Sequence, residues 1–157
     1  MRRSTSRVAA VLLASTFTPF AFAAHTHLPT PSTWTLNLAE SDFGGGISLK
    51  SDTFVITEDT DKWGKWTDTA VDGNGKTVKS SWSGAEDGKP HPFGGWAGAT
   101  YSSDSATDVS VEKFPDGTVQ TCTFSLNASK TKFTSKCAAK SPNGKVAHQT
   151  IVYDRTK

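Results

Sequence analysis

The feature that most constrains this chain is a series of turn motifs that recur at short, regular intervals. Between them lie segments in which apolar and polar residues alternate with a period of two, which is typical of half-buried β-strands. The turn motifs are Asp72-Gly73-Asn74-Gly75, Glu86-Asp87-Gly88, Pro115-Asp116-Gly117 and Pro142-Asn143-Gly144. This pattern predicts an antiparallel meander with strands near residues 33–38, 50–58, 63–71, 77–83, 99–104, 108–114, 118–127, 131–140 and 146–154.

The two cysteines of the chain, Cys122 and Cys137, fall on one predicted hairpin. If that hairpin turns about Ser129-Lys130, Cys122 faces Cys137 and Leu126 faces Phe133, so that both pairs share one face of the sheet. Directly opposed residues have Cα atoms about 4.5–5.5 Å apart, a distance that a disulfide can span. We therefore predict an inward-facing or half-buried disulfide here, with a pair of buried free thiols as the alternative.

Two further hairpins can be set in register by their turns, one centred on Asn74 and the other about Asn143-Gly144. The predicted opposed pairs are Trp66 with Trp82 and Ala70 with Val78 in the first, and Cys137 with Thr150 and Ala139 with His148 in the second. A shift of one residue turns every side chain of a strand to the other face. In all three hairpins the predicted register keeps apolar residues on one face of the sheet, which supports the predicted meander.

We predict an all-β fold in which the antiparallel up-and-down meander closes, or nearly closes, into a barrel of eight to nine strands; an open β-sandwich is the alternative. Closure removes the exposed edges that a meander otherwise presents. A barrel of this size has room for a packed core or for one small ligand. The side chains expected to face inward are Trp34, Phe54, Ile56, Trp66, Trp82, Val109, Val111, Phe124, Leu126, Phe133 and Val152.

The N-terminus has the organisation of a secretory signal peptide. Three arginines precede a short apolar run, and Ala21 and Ala23 offer the small side chains that a cleavage site needs. We expect a signal peptide over residues 1–23, a flexible leader over residues 24–32 and a single β-barrel domain over residues 33–157. Because the apolar run is much shorter than the ~20 residues that span a bilayer, we expect no membrane span and a periplasmic or extracellular protein.

Charge argues against a nucleic-acid partner. Removing the predicted signal peptide leaves 14 lysines and arginines against 15 acidic residues, because the segment carries three of the 17 basic residues and no acidic one. The remaining charges are interspersed rather than blocked, unlike the basic patches that bind phosphate backbones. We expect the mature chain to be a monomer that does not bind nucleic acid.

Two of the four histidines, His25 and His27, lie beside the predicted new N-terminus. An N-terminal amine with nearby imidazoles can chelate copper or nickel in square-planar geometry. The alternative is a flexible tail, which is the interpretation we adopt. We therefore predict no metal and no cofactor, and His25 and His27 are the only candidate ligands for a metal.

Aromatic residues gather around a glycine-rich segment that follows His91, which itself lies between two prolines. Prolines stiffen the chain, glycines let backbones approach closely, and an aromatic-lined cup with few polar groups is how small apolar ligands are usually held. The ligand-binding candidates are Trp66, Trp82, Phe93, Trp96 and Tyr101. The alternative is a surface loop in which Phe93 and Trp96 only cover the end of the core.

Two segments resemble the ends of a group of secreted bacterial proteins with a lipocalin-like (calycin-type) β-barrel domain. The first runs from Thr33 to Phe43 and reads TWTLNLAESDF, and the second is Val152-Tyr153-Asp154. The turn motifs over residues 72–76 and 87–90 are also similar to those of the group. The resemblance covers residues 33–154 and implies a meandering, lipocalin-like barrel with a ligand cup and no catalytic residues.

These observations favour an exported binding module for a small hydrophobic or amphipathic ligand. None of the nucleophile, metalloprotease or phosphate-loop motifs that we sought occurs in the sequence, so we expect no catalytic activity. The alternative is a cell-envelope or extracellular protein with an interaction or structural role. An enzyme would need a cleft with two or more convergent ionisable groups.

Overall fold

The computed structural model describes residues 27–46, 48–95 and 97–157, which form ten antiparallel strands. The strands are β1 (Ser32–Leu36), β2 (Leu49–Asp59), β3 (Trp63–Asp72), β4 (Thr77–Ala85), β5 (His91–Pro92), β6 (Thr100–Asp104), β7 (Val109–Lys113), β8 (Val119–Leu126), β9 (Lys132–Lys140) and β10 (Val146–Arg155). Within these three ranges no helix is long and apolar enough to cross a membrane. The predicted signal peptide lies outside the described residues.

The strands form a single sheet that is nearly closed into a barrel. Each strand except β4 pairs with the strand that follows it in sequence, and β1 lies between β2 and β10, which joins the first and last strands of the meander. The two ends of the sheet are β4 and β5, and β4 is joined to the segment after β5 by a bridge in which the backbone N–H and C=O groups of Ser81 and Gly94 pair at 3.1 and 2.8 Å. The predicted all-β up-and-down barrel is therefore confirmed.

All nine predicted strands are present, with ends that differ by one or two residues. The short β5 is the strand that the sequence pattern missed. Two of the predicted registers are confirmed: Cys122 lies opposite Cys137 and Leu126 opposite Phe133. Likewise the hairpin of β3 and β4 pairs Trp66 with Trp82 and Ala70 with Val78.

The register predicted for the last hairpin is wrong by one residue. The observed pairs are Cys137 with Gln149 and Ala139 with Ala147, not Cys137 with Thr150 and Ala139 with His148. The reason is a three-residue loop, Pro142-Asn143-Gly144, whose glycine has a φ of 84° and which is centred on Asn143 alone. As a result His148 lies on the outer face and is exposed, while Tyr153 points into the barrel.

Most of the predicted inward-facing side chains belong to the two hydrophobic clusters of the core. Three valines are exceptions. Val109 and Val111 point outward, because the alternation of β7 turns Ser110 inward, opposite Cys122. Ser110 is only 1% exposed. Val152 is buried, but it alternates with the inward-facing Tyr153 and therefore lies on the outer face of β10.

The disulfide lies inside the barrel. Cys122 and Cys137 are bonded, with Cα atoms 4.1 Å apart, and both side chains are buried. The predicted bridge and its inward orientation are confirmed. Such a bridge is compatible with an oxidising compartment outside the cytosol.

Removing the disulfide should lower stability, because the bridge closes a loop of 15 residues and limits the unfolded chain. For such a loop the chain-entropy model gives about 3 kcal/mol. We expect Cys122→Ala/Cys137→Ala to lose that much free energy of unfolding in a urea titration. Reductant should destabilise the wild-type protein and leave the double variant unchanged; equal stability of the two oxidised proteins would contradict the expectation.

Glycines allow the barrel to close between β4 and the segment after β5. A Cβ at Gly95 would overlap the carbonyl oxygen of Lys79, and one at Gly94 would lie 2.5 Å from the hydroxyl oxygen of Ser81. Gly95 also has a φ of 90°, which L-residues rarely adopt. The absence of side chains at these two positions lets the end strands approach each other.

Gly95→Ala should therefore lower the free energy of unfolding by more than the cost of placing an alanine at a left-handed φ. The φ contribution is about 1–2 kcal/mol, and the overlap with Lys79 adds to it. Gly144→Ala is the matched control, since its φ of 84° is similar but nothing lies within 4 Å of its Cβ. Thermal unfolding should show a clearly larger loss for Gly95→Ala; an equal loss would mean that the close approach does not matter.

Candidate functional site

A cavity of about 80 Å³ opens at one end of the barrel. Its upper ring consists of residues at strand ends, namely Glu58, Asp59, Gly64, Glu86 and Asp108, and we call this ring the mouth. Since one water needs about 10–15 Å³, the cavity has room for several waters or for one small ring or alkyl group.

Below the mouth the cavity has an apolar wall. Its members come from β2, β3, β6, β8 and β9 and are Phe54, Ile56, Trp66, Tyr101, Phe124, Leu126 and Phe133. Phe54 lies 5.1 Å from Trp66 and 6.3 Å from Phe133, and Phe124 lies 5.6 Å from Phe133, measured between ring centroids. These spacings lie in the range at which aromatic pairs attract, so the wall is held in place by its own packing.

The five predicted ligand-binding residues are divided by the structure. Trp66 and Tyr101 line the cavity, with ring centroids 5.4 Å apart. Trp82 and Phe93 stand behind them as buried packing, 4.8 Å from Tyr101 and 5.7 Å from Trp66 respectively. Trp96 lies outside the described residues. A role in binding stays a prediction for all five, and only Trp66 and Tyr101 are placed for direct contact.

The mouth is acidic because of how its strands end. Glu58 and Asp59 finish β2, Glu86 follows β4, and Asp108 precedes β7. A Cβ at Gly64 would overlap a carboxylate oxygen of Glu86. Because Gly64 has no side chain, the Glu86 carboxylate can lie against its backbone.

The end of the predicted leader lies across the mouth. The Leu28 side chain lines the cavity and packs against the core, and its backbone N–H donates to Asp59 Oδ2 at 2.6 Å. The His27 ring lies between two carboxylates, with Nδ1 3.3 Å from Asp59 Oδ1 and Nε2 2.9 Å from Asp61 Oδ1. Residues 27 and 28 thus place a basic ring and an apolar side chain together at the mouth.

The surroundings of His27 favour its charged form. Partial burial lowers its pKa, but the hydrogen bonds and the negative charges of Asp59 and Asp61 outweigh burial and raise the pKa above its ordinary value. In the part of the chain that the structure describes, no group of three or more His, Cys, Asp or Glu side chains is arranged to hold a metal ion. His25, the other metal candidate, lies outside the described residues.

A pair of acidic residues lies deeper in the barrel, beyond the apolar wall. Asp52 accepts a hydrogen bond from the Tyr153 hydroxyl at 2.7 Å, and Asp68 accepts one from the Ser80 hydroxyl at 2.8 Å. Burial and then the hydrogen bond and charge of Asp52 raise the pKa of Asp68 to about 8. At neutral pH Asp68 therefore keeps its proton, and its carboxyl group can hydrogen-bond to Asp52.

A third buried carboxyl group belongs to Glu112 on β7. Burial raises its pKa to about 7, although Gln120 Nε2 donates to Glu112 Oε2 at 2.9 Å and acts in the opposite sense. Burial, followed by the charge of Glu112, likewise raises the pKa of Tyr101. None of Asp52, Asp68 and Glu112 is among the residues that line the cavity.

Sequence reasoning missed both groups of acids. A usable signal was present, because Asp52 is in phase with Phe54 and Ile56, and Asp68 is in phase with Trp66 and faces Phe54 across the sheet. An acidic residue in phase with a buried aromatic one is a candidate for an interior position. The mouth carboxylates had no such signal, since they follow or precede strands whose ends the pattern fixes only to within one or two residues.

A scan against models of known protein families finds no match to this chain, and a search of curated proteins finds none either.

The buried acids predict how stability depends on pH. Asp68 and Glu112 have folded-state pKa values of about 8 and about 7, above those of the unfolded chain. The folded state therefore binds more protons between pH 4 and 8, so this contribution is fully present below about pH 4 and is lost as the pH rises to about 8. The free energy of unfolding should therefore fall as the pH rises from about 4 to about 8.

We expect Asp68→Asn to flatten this dependence and to raise the melting temperature at pH 8, because the amide is neutral and can still donate to Asp52. Asp116→Asn is the control, since Asp116 lies in an exposed turn where its carboxylate accepts from the backbone N–H of Thr118 at 2.8 Å. Melting curves between pH 4 and 9 provide the test. A slope that Asp68→Asn leaves unchanged would show that Asp68 does not hold the proton.

Proposed function

We propose that the protein is an exported binding module for a small hydrophobic or amphipathic ligand and that it has no catalytic activity. The observation that carries this proposal is the cavity of about 80 Å³ with its packed aromatic wall at one end of the barrel. A concave apolar site with a few polar groups at its edge is the common form of a small-molecule site. The resemblance to secreted lipocalin-like proteins supports the same conclusion.

Export is supported by two independent features. The N-terminal sequence has the order of a signal peptide, with basic residues, an apolar run and small residues at the end. The buried disulfide, Cys122–Cys137, is of the kind that forms outside the cytosol. The proposed location is accordingly the periplasm or the extracellular space.

The ionisable groups buried in the interior give no support to a catalytic role. Asp68 has a raised pKa beside a second carboxyl group, as acids in enzymes can have, but neither Asp68 nor Asp52 lines the cavity, and Asp52 is only 4% exposed. The buried pair therefore supports a structural interpretation.

The proposal is tested by filling the cavity. Ser103 lines it, whereas the neighbouring Ser102 alternates to the outer face of β6, where its hydroxyl donates to the carbonyl of Val111 at 3.3 Å. Ligands are titrated while the tryptophan fluorescence of the protein is followed, to which Trp66 on the wall contributes. We expect saturable binding that Ser103→Phe weakens at least about tenfold and that Ser102→Phe leaves intact.

Both variants should first give the near-ultraviolet circular dichroism of the folded barrel. The ligand panel covers fatty acids, aromatic alcohols and aromatic amines. No saturable response to any of them, or equal binding by Ser102→Phe and Ser103→Phe, would overturn the proposal.

A further inference from the structure

The charge of the cavity is one-sided. Its lining includes four carboxylate side chains, those of Glu58, Asp59, Glu86 and Asp108, and no Lys, Arg or His from the part of the chain that the structure describes. The four lie around the mouth, and the wall beneath them is apolar and aromatic. Low-dielectric walls concentrate the field of such charges within a cleft.

The chain itself shows which chemistry fits this arrangement. The Leu28 side chain enters the cavity while its neighbour His27 contacts Asp59 and Asp61 at 3.3 and 2.9 Å. An apolar group on the wall is thus joined to a basic group on the mouth carboxylates. His27 and Leu28 therefore occupy the site in the way that a ligand with a basic group and an apolar group would.

We propose that the ligand is an organic cation, an amine that carries one aromatic ring or a short branched alkyl group, and that residues 27 and 28 compete with it for the cavity. This inference rests on the proposed binding function and adds the charge of the ligand. The ring or alkyl group lies against Trp66 and Phe124, and the ammonium group meets the mouth carboxylates, chiefly Glu86 above Gly64.

Two physical effects select a cation. Attraction between unit charges is several times stronger beside a low-dielectric surface than in bulk water. The aromatic wall adds to this, since the face of an indole or phenyl ring attracts a cation within about 6 Å of its centre. An anion of the same shape meets repulsion from all four carboxylates, and a neutral molecule gains only from burial of its apolar part.

The test uses three molecules of one shape: 2-phenylethylamine, 2-phenylethanol and 3-phenylpropionate. They are titrated into the exported protein with its disulfide intact, by calorimetry and by tryptophan fluorescence. We expect the amine to bind at least about tenfold more tightly than the alcohol, and the carboxylate to bind most weakly. Salt should weaken binding of the amine and leave that of the alcohol nearly unchanged.

Variants assign the preference to the mouth. Glu86→Gln should reduce affinity for the amine about tenfold and leave affinity for the alcohol unchanged, because the amide keeps the shape and removes the charge. Glu40→Gln is the matched control, since Glu40 is exposed, lies outside the cavity and pairs with Lys132. His27→Ala/Leu28→Ala should bind the amine more tightly, because it removes the internal competitor.

The outcomes separate this inference from the proposed function. Equal binding of amine and alcohol, or an amine affinity that Glu86→Gln does not lower, overturns the cation preference while the binding function stands. Unchanged amine affinity in His27→Ala/Leu28→Ala overturns the competition by the leader. Failure of all three molecules, together with failure of the wider ligand panel, overturns the binding function itself.

Discussion

The structure depends on the insertion of β1 between β2 and β10, because this pairing turns an open meander into a barrel. Trp34 anchors the strand: its side chain is fully buried, and its indole N–H donates to the Ser32 hydroxyl at 2.7 Å. Ser32 pairs with Ile56, next to the mouth. The chain therefore has to enter the barrel across the mouth, so the position of Leu28 over the cavity is a consequence of barrel closure.

The interior is polar in its middle and aromatic near the mouth, and this division explains why a cavity persists. Asp52 and Asp68 accept hydrogen bonds from Tyr153 and Ser80, which keeps polar side chains at positions where a larger apolar core could otherwise form. Buried carboxyl groups lower stability as they ionise. The disulfide, which joins β8 and β9, offsets part of that loss by restricting the unfolded chain.

How far the sequence predicts this molecule depends on the kind of information that each element needs. Turn motifs and alternation locate nine strands and two registers, because those signals are local. The last register fails because the choice between a two-residue and a three-residue loop depends on the conformation of Gly144. Val109 and Val111 are misplaced because alternation shows two faces but not which one is inside; that choice is made by Cys122 opposite Ser110, a contact between strands.

The two groups of acids act differently on a molecule in the cavity. Burial raises the pKa values of Asp68 and Glu112 to about 8 and about 7, so that much of their negative charge is removed by protonation near neutral pH. The mouth carboxylates lie at strand ends, where solvent reaches the cavity, and the apolar wall separates them from the interior pair. The field that an entering ligand meets is thus set by the mouth, although most of the interior's polar contacts lie deeper. Substitutions on the two sides of this aromatic wall should consequently change the proposed preference for a cation and the pH dependence of stability independently of each other.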